Sequence, residues 1–258
     1  MSNLRDFLYG YGAGTAVEPS ELLVYNTDTG GRANGGQCCC WIVPAGKTYA
    51  VFEMWSGGGS GAGACCCQMG GGAGSGGYLV KSVDVTPGDW FTICAAGSGV
   101  CTDPSWKNGC EGCSSYICQN GVSSGTSWKL CLCGGRNANV ETRCNYHGSC
   151  YACCSSCYCC GGRTGCSDSN ATPDLHYAGR NGTAHVNQYC QGEGYQHTSA
   201  APMTAGGFRL GPGFCRSWHA DCGCGQFPGG GGLTANKYDS QCCGGEPGGG
   251  GMIYVMFY

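Results

Sequence analysis

Between Gly57 and Gly77 the chain almost abandons side chains: only Ser, Ala, Gln, Met and a cysteine triplet interrupt the glycines. Two further tracts, Pro228-Gly229-Gly230-Gly231-Gly232-Leu233 and Pro247-Gly248-Gly249-Gly250-Gly251-Met252, repeat one another near the other end. Glycine loses more backbone entropy on folding than other residues and brings nothing to a core, a deficit of roughly 0.5 to 1 kcal/mol relative to Ala in regular structure. With 52 glycines in 258 residues, something must offset that deficit. Such tracts can be flexible linkers. Their repetition beside hydrophobic strands argues instead for packed structure.

The stretches flanking the tracts read as β-strands. In Tyr49 to Trp55, Tyr49, Val51, Glu53 and Trp55 alternate with Ala50, Phe52 and Met54, which leaves almost no polar face and predicts a strand covered on both sides. Tyr78 to Val85 and Trp90 to Ala95 follow, joined by Thr86-Pro87-Gly88-Asp89. That sequence fits a type II turn, with Pro fixing φ near −65° and Gly supplying the positive φ. Met252 to Tyr258 is apolar on both faces, as a central strand would be, and Leu22 to Tyr25 is a shorter candidate. The fold class expected is all-β.

Cysteine is the second constraint, at 27 residues. Disulfides typically stabilise by roughly 2 to 4 kcal/mol each, so pairing of most cysteines is expected to offset the glycine deficit. An odd total leaves at least one free, ligated or paired between chains. Cys38-Cys39-Cys40 and Cys65-Cys66-Cys67 are triplets; in extended chain their outer members share one face and the middle one points oppositely. Together with Cys94, Cys101, Cys242 and Cys243 they are the disulfide candidates. Between Cys101 and Cys224, 18 cysteines stand among Ser, Asn and Gly with few aliphatics and no periodicity, so loops and short hairpins held by cross-links are expected there. Metal competes in that region. Cys110-x-x-Cys113 and Cys131-x-Cys133 fall one residue short of a zinc ribbon, and Cys150, Cys153, Cys154, Cys157, Cys159 and Cys160 form a denser cluster near His147, the first four being the candidates. No cofactor is expected, with structural zinc as the alternative. The remaining histidines, at 176, 185, 197 and 219, have no paired spacing and are expected at the surface.

Several function classes drop out. A net charge of −3 and the lack of a basic cluster argue against a nucleic-acid partner. No run approaches the roughly 18 apolar residues of a membrane span, and the N-terminal MSNLRDFLYGYGAG lacks the apolar stretch of an ordinary secretory signal. Gly72-Ala73-Gly74-Ser75-Gly76-Gly77 satisfies the spacing of a dinucleotide-binding loop but leads into a strand where a helix is required. Gly121-Val122-Ser123-Ser124-Gly125 lacks the flanking strand and helix of a nucleophile elbow. No acid, base and nucleophile set stands at meaningful spacing, so the chain does not read as an enzyme.

The order VPAGKTYAVFEMW, glycine tract, GGYLVKSVDVTPGDWFTICAAGSG, closed by PGGGGMIYVMFY, resembles the glycine-rich domain of bacteriophage tail fibre and virion structural proteins. The likeness covers residues 41–99 and 226–258, and the cysteine triplets extend it toward virion proteins of marine cyanobacterial phages. The resemblance implies a glycine-rich β-sandwich-like scaffold whose glycine runs stack as extended polyglycine helices with mutually hydrogen-bonded backbones. It also implies an organisation: residues 1–36 as an N-terminal docking segment, 37–100 as the first part of the β-domain, 101–225 as a cysteine-rich insertion, and 226–258 as the closing segment. The function implied is that of a virion structural protein, a tail fibre or tail-associated component synthesised in the host cytoplasm, whose cysteine-rich loops adhere to a host-surface glycan or protein. Other virion proteins and copies of itself are the expected partners. Trp218 and His219, flanked by Cys215 and Cys222, are the contact candidates. A metal-binding cysteine-rich protein is one alternative, and a capsid decoration or extracellular filament subunit without a receptor is another.

Overall fold

The computed structural model describes residues 20–25, 36–61, 73–100, 109–121, 127–138, 171–180, 201–203, 225, 227–232, 245 and 247–258. Among these there are nine β-strands and no helix: β1 Ser20–Tyr25, β2 Gln37–Ile42, β3 Tyr49–Trp55, β4 Tyr78–Asp84, β5 Trp90–Ala95, β6 Ser115–Gly121, β7 Lys129–Leu132, β8 Leu175–Tyr177 and β9 Met252–Phe257. They form two antiparallel sheets, one in the order β1-β9-β3-β4-β8 and the other β2-β5-β6-β7.

Strand alternation sorts each strand's side chains onto two faces. Ala50, Phe52 and Met54 of β3 and Ile253, Val255 and Phe257 of β9 enter one core with Trp41, Phe91, Ile93, Ile117, Leu130 and Leu132 of the other sheet. Aromatic rings join the two sheets. Trp41 lies 5.0 Å from Phe257 and 5.4 Å from Phe91 between ring centroids, and Phe52 lies 5.4 Å from Phe91. Such contacts add about 0.5 to 1.5 kcal/mol each beyond area burial. The other face of β3 is also covered, since Val51 and Trp55 are buried, so the two apolar faces read from its sequence are both used. β9 lies between β1 and β3, the central position its composition predicts. The outer face of the second sheet is more open, with Ile42 64% and Trp90 41% exposed.

The predicted turn has the expected geometry: the Asp89 amide donates to the Thr86 carbonyl at 2.9 Å, and Gly88 has φ +91°. Asp89 is buried, and its Oδ2 accepts from the Thr86 amide and from Gln119 Nε2, tying the turn to β6.

Three readings need correction. The first triplet, where sequence marks no strand, lies inside β2, with Cys38 and Cys40 exposed and Cys39 packed against the core. Residues 101–225 are not held by cross-links alone, because β6 and β7 extend the second sheet and bury Ile117, Leu130 and Leu132 completely, while β8 adds an edge to the first. His176 is not simply a surface residue: it is half-buried on β8, and its Nε2 is buried without a hydrogen-bond partner.

Candidate functional site

Most strands run directly into side-chain-poor backbone. β3 continues into 56–61, β5 into 96–100 and β7 into 133–138, while 73–77 leads into β4, 109–113 into β6 and 247–251 into β9. These segments, with 229–232, form a bundle whose centre is 56–61.

The central tract shows the packing plan. Its amides at Gly57, Gly58, Gly59 and Ser60 donate in turn to the carbonyls of Cys113, Gly249, Gly74 and Cys110. Its carbonyls at the same four positions accept from the amides of Gly135, Gly99, Gly232 and Ala138. Residues three apart therefore return to the same neighbour: Gly57 and Ser60 both donate to 110–113 and both accept from 135–138. A period of three is that of the extended helix that lacks internal hydrogen bonds and turns its backbone outward, as in polyproline II. Six segments thereby surround one and satisfy its polar groups laterally.

Only glycine fits such spacing. A Cβ on Gly58 would lie 2.0 Å from the Gly230 carbonyl oxygen, and one on Gly59 would lie 2.3 Å from that of Arg136. Where a side chain does occur, it works as a hydrogen-bonding seam between sheets and bundle. Ser115 Oγ donates to the Trp55 carbonyl at 2.7 Å and accepts from the Ala96 amide at 3.0 Å. Ser56 Oγ donates to the Cys133 carbonyl at 2.6 Å and accepts from the Gly77 amide at 2.9 Å. Both serines are fully buried. Sequence reasoning missed them, although each stands where a strand passes into or out of a glycine run.

The bundle has a direction. Segments 97–100, 133–138 and 229–232 run parallel to the central tract, and 73–77, 109–113 and 247–251 run antiparallel, as the register of their hydrogen bonds requires. Gly61 and Ala73, Val100 and Gly109, and Gly232 and Pro247 consequently lie at the end away from the strands, where Ala138 also leaves the bundle. The connections 62–72, 101–108 and 233–246 start and finish at that one end. β1 runs antiparallel to β9 with Ser20 opposite Phe257, so residues 1–19 join at the opposite end.

A second aromatic group lies on the outer face of the first sheet. The Tyr78 hydroxyl donates to Glu53 Oε1 at 3.2 Å, and burial, reinforced by that carboxylate, pushes the phenol above its usual range. Trp55 packs against Tyr78 with ring centroids 4.9 Å apart and planes tilted by 52°, and donates from Nε1 to the Pro202 carbonyl at 2.9 Å.

Among the described cysteines, Cys38 is bonded to Cys94 and Cys110 is disulfide-bonded. Cys39, Cys40, Cys113 and Cys133 are free thiols. Burial, with Cys40 alongside, pushes the Cys39 thiol up. The first triplet therefore bridges through Cys38 alone. Of the near-ribbon cysteines, Cys110 is occupied by its disulfide, while 110–113 and 133–138 run side by side, with Gly112 donating to the Gly135 carbonyl at 2.9 Å. Among the described residues, no group of three or more His, Cys, Asp or Glu could hold a metal ion, and no helix is long and apolar enough to cross a membrane. Cys65, Cys66, Cys67, Cys101, Cys242, Cys243, Cys150, Cys153, Cys154, Cys157, Trp218 and His219 lie outside the described residues.

No protein-family model and no curated protein matches the chain.

Proposed function

We propose that the protein is a structural component of a bacteriophage virion, part of a tail or tail fibre, that presents connecting segments on a rigid glycine bundle. The observation carrying this reading is the polarity of the bundle: three connections start and finish at the end away from the strands, while residues 1–19 join at the other. Such an arrangement suits attachment at one end and contact at the other. Connections on a scaffold fixed by backbone hydrogen bonds are where binding residues concentrate, and a surface already held loses less conformational entropy on contact. The partner in this reading is a host-surface glycan or protein; of the segment 101–225, the connection 101–108 belongs to the end away from the strands, and Trp218 and His219 are the contacts read from sequence.

The virion assignment is tested by mass spectrometry of purified particles and by antibody labelling in electron micrographs. The protein is expected in the particle, with label on the tail; its absence from washed particles overturns the reading. The adhesion reading is tested by Trp218→Ala, expected to weaken adsorption to host cells with particle yield unchanged. Lost assembly with unchanged adsorption per intact particle would instead favour an architectural part without a receptor.

A further inference from the structure

The bond between Cys38 and Cys94 lies on the open outer face of the second sheet and joins edge strand β2 to β5 at directly opposed positions. Its two residues differ in exposure: Cys38 is exposed, whereas Cys94 is 2% exposed. The Tyr116 hydroxyl stands 3.8 Å from Cys38 Sγ, and Lys129 Nζ stands 5.0 Å from the Tyr116 ring centroid. A sulfur anion at Cys38 would therefore have solvent and a hydroxyl donor. β2 is also held without the bond, by its backbone ladder to β5 across six register positions and by Trp41 in the core. Opening the bond would leave the fold in place and loosen one end of an edge strand.

We propose that Cys38 and Cys94 form a thiol–disulfide exchange site that latches β2, with Cys38 capturing a small disulfide and Cys94 resolving it. In the first step the Cys38 thiolate attacks a disulfide RSSR, forming a mixed disulfide at Cys38 and releasing RS⁻. In the second, the Cys94 thiolate attacks the Cys38 sulfur, forming the Cys38–Cys94 bond and releasing a second RS⁻. The two cysteines are oxidised, the small disulfide is reduced to two thiols, and the protons lost by the cysteines pass to the leaving thiolates. Exchange rates follow access to the attacked sulfur and the thiolate character of the attacker. A dithiol reverses the sequence, entering again at Cys38. The chain can thus carry an open latch in a reducing compartment and close it on reaching an oxidising one.

The test uses the full chain, reduced, with Cys40→Ser introduced throughout because Cys40 is an exposed free thiol on the same face. Glutathione disulfide is added, the reaction is stopped with acid, and adduct positions are mapped by peptide mass spectrometry. Glutathione is expected to accumulate on Cys38 in Cys94→Ser, and to reach Cys94 in Cys38→Ser at least about tenfold more slowly. With both cysteines present, the adduct should appear transiently at Cys38 and give way to the Cys38–Cys94 bond. That time course decides the order even where a serine variant folds poorly. Equal capture at both cysteines, or a first adduct at Cys94, overturns the assignment. Amide exchange in β2 should slow on oxidation, and equal exchange in the two redox states overturns the latch.

Discussion

Gly58 and Gly59 lie where backbone meets backbone with no room for a methyl group, so Gly58→Ala must push whole segments apart. Neighbouring carbonyls cannot rotate away as a side chain would. Overpacking of well-packed interiors commonly costs about 1 to 3 kcal/mol, and the obstruction here is rigid; a loss of at least about 3 kcal/mol is expected in urea unfolding. Gly46, with φ +80° and nothing within 4 Å of a built Cβ, is the control. Its replacement by Ala should lose only about 1 kcal/mol, through backbone strain. Ser115→Ala leaves the Trp55 carbonyl and the Ala96 amide without a hydroxyl that is fully buried, which should lower stability by about 1 to 3 kcal/mol.

Protonation acts at the same scale on β8. Burial holds the His176 imidazole below its ordinary 6.5, so as pH falls the unfolded chain takes up that proton first. The contribution of neutral His176 is whole above 6.5, declines as pH falls from there toward the folded value, and levels off beyond it. Asp174 adds a second slope at lower pH. Burial alone would raise its carboxyl, but hydrogen bonds from the Ser82 hydroxyl and amide and the Lys81 ammonium at 3.0 Å outweigh this and hold it below its usual value. Its contribution is present above the unfolded pKa and lost as pH falls through the folded one. Unfolding midpoints measured from neutral to acid pH should therefore fall in two stages, and His176→Leu should remove the earlier stage.

Among the elements, those with dense aromatic or aliphatic content were legible in sequence. β3 and β5 run over the residues their alternation marks out, and the Thr86–Asp89 turn follows from Pro and Gly placement. β2 was obscured because three consecutive cysteines carry no visible alternation, although Cys39 packs inward as a small hydrophobe. β6 and β7 were obscured because Ile117, Leu130 and Leu132 are scattered among Ser, Cys, Asn and Gly, so that tertiary pairing of β6 with β5 and of β7 with β6 supplies what local pattern lacks. β8 has only three residues and is fixed by its ladder to β4 and by the side chains of Lys81 and Ser82 reaching Asp174 just before it. At this scale Phe52→Ala is expected to lose about 3 to 5 kcal/mol, since Phe52 is fully buried and touches rings from the opposite sheet.

For the molecule as a whole, sequence marked which stretches lack side chains but not which of them are neighbours. The partners of the central tract are set by lateral hydrogen bonds to segments dispersed along the chain, and no local pattern encodes that choice. The same lateral bonding predicts independence of the connections. Replacing 101–108 with a short Gly-Ser linker should leave the melting temperature within a few degrees of the parent, because Val100 and Gly109 already lie at one end of the bundle; a collapse in stability would show that the connection carries part of the fold.

The arrangement also sets a timetable for synthesis. Gly58 donates to Gly249, and Gly251 donates to Ala96, so the innermost strip of backbone stays incomplete until residues 249–251 have left the ribosome, long after 56–61. Contacts so distant along the chain make folding slow. During that interval the tract is a run of exposed amides and carbonyls open to any neighbouring strand, and the nascent chain depends on being shielded from its own copies.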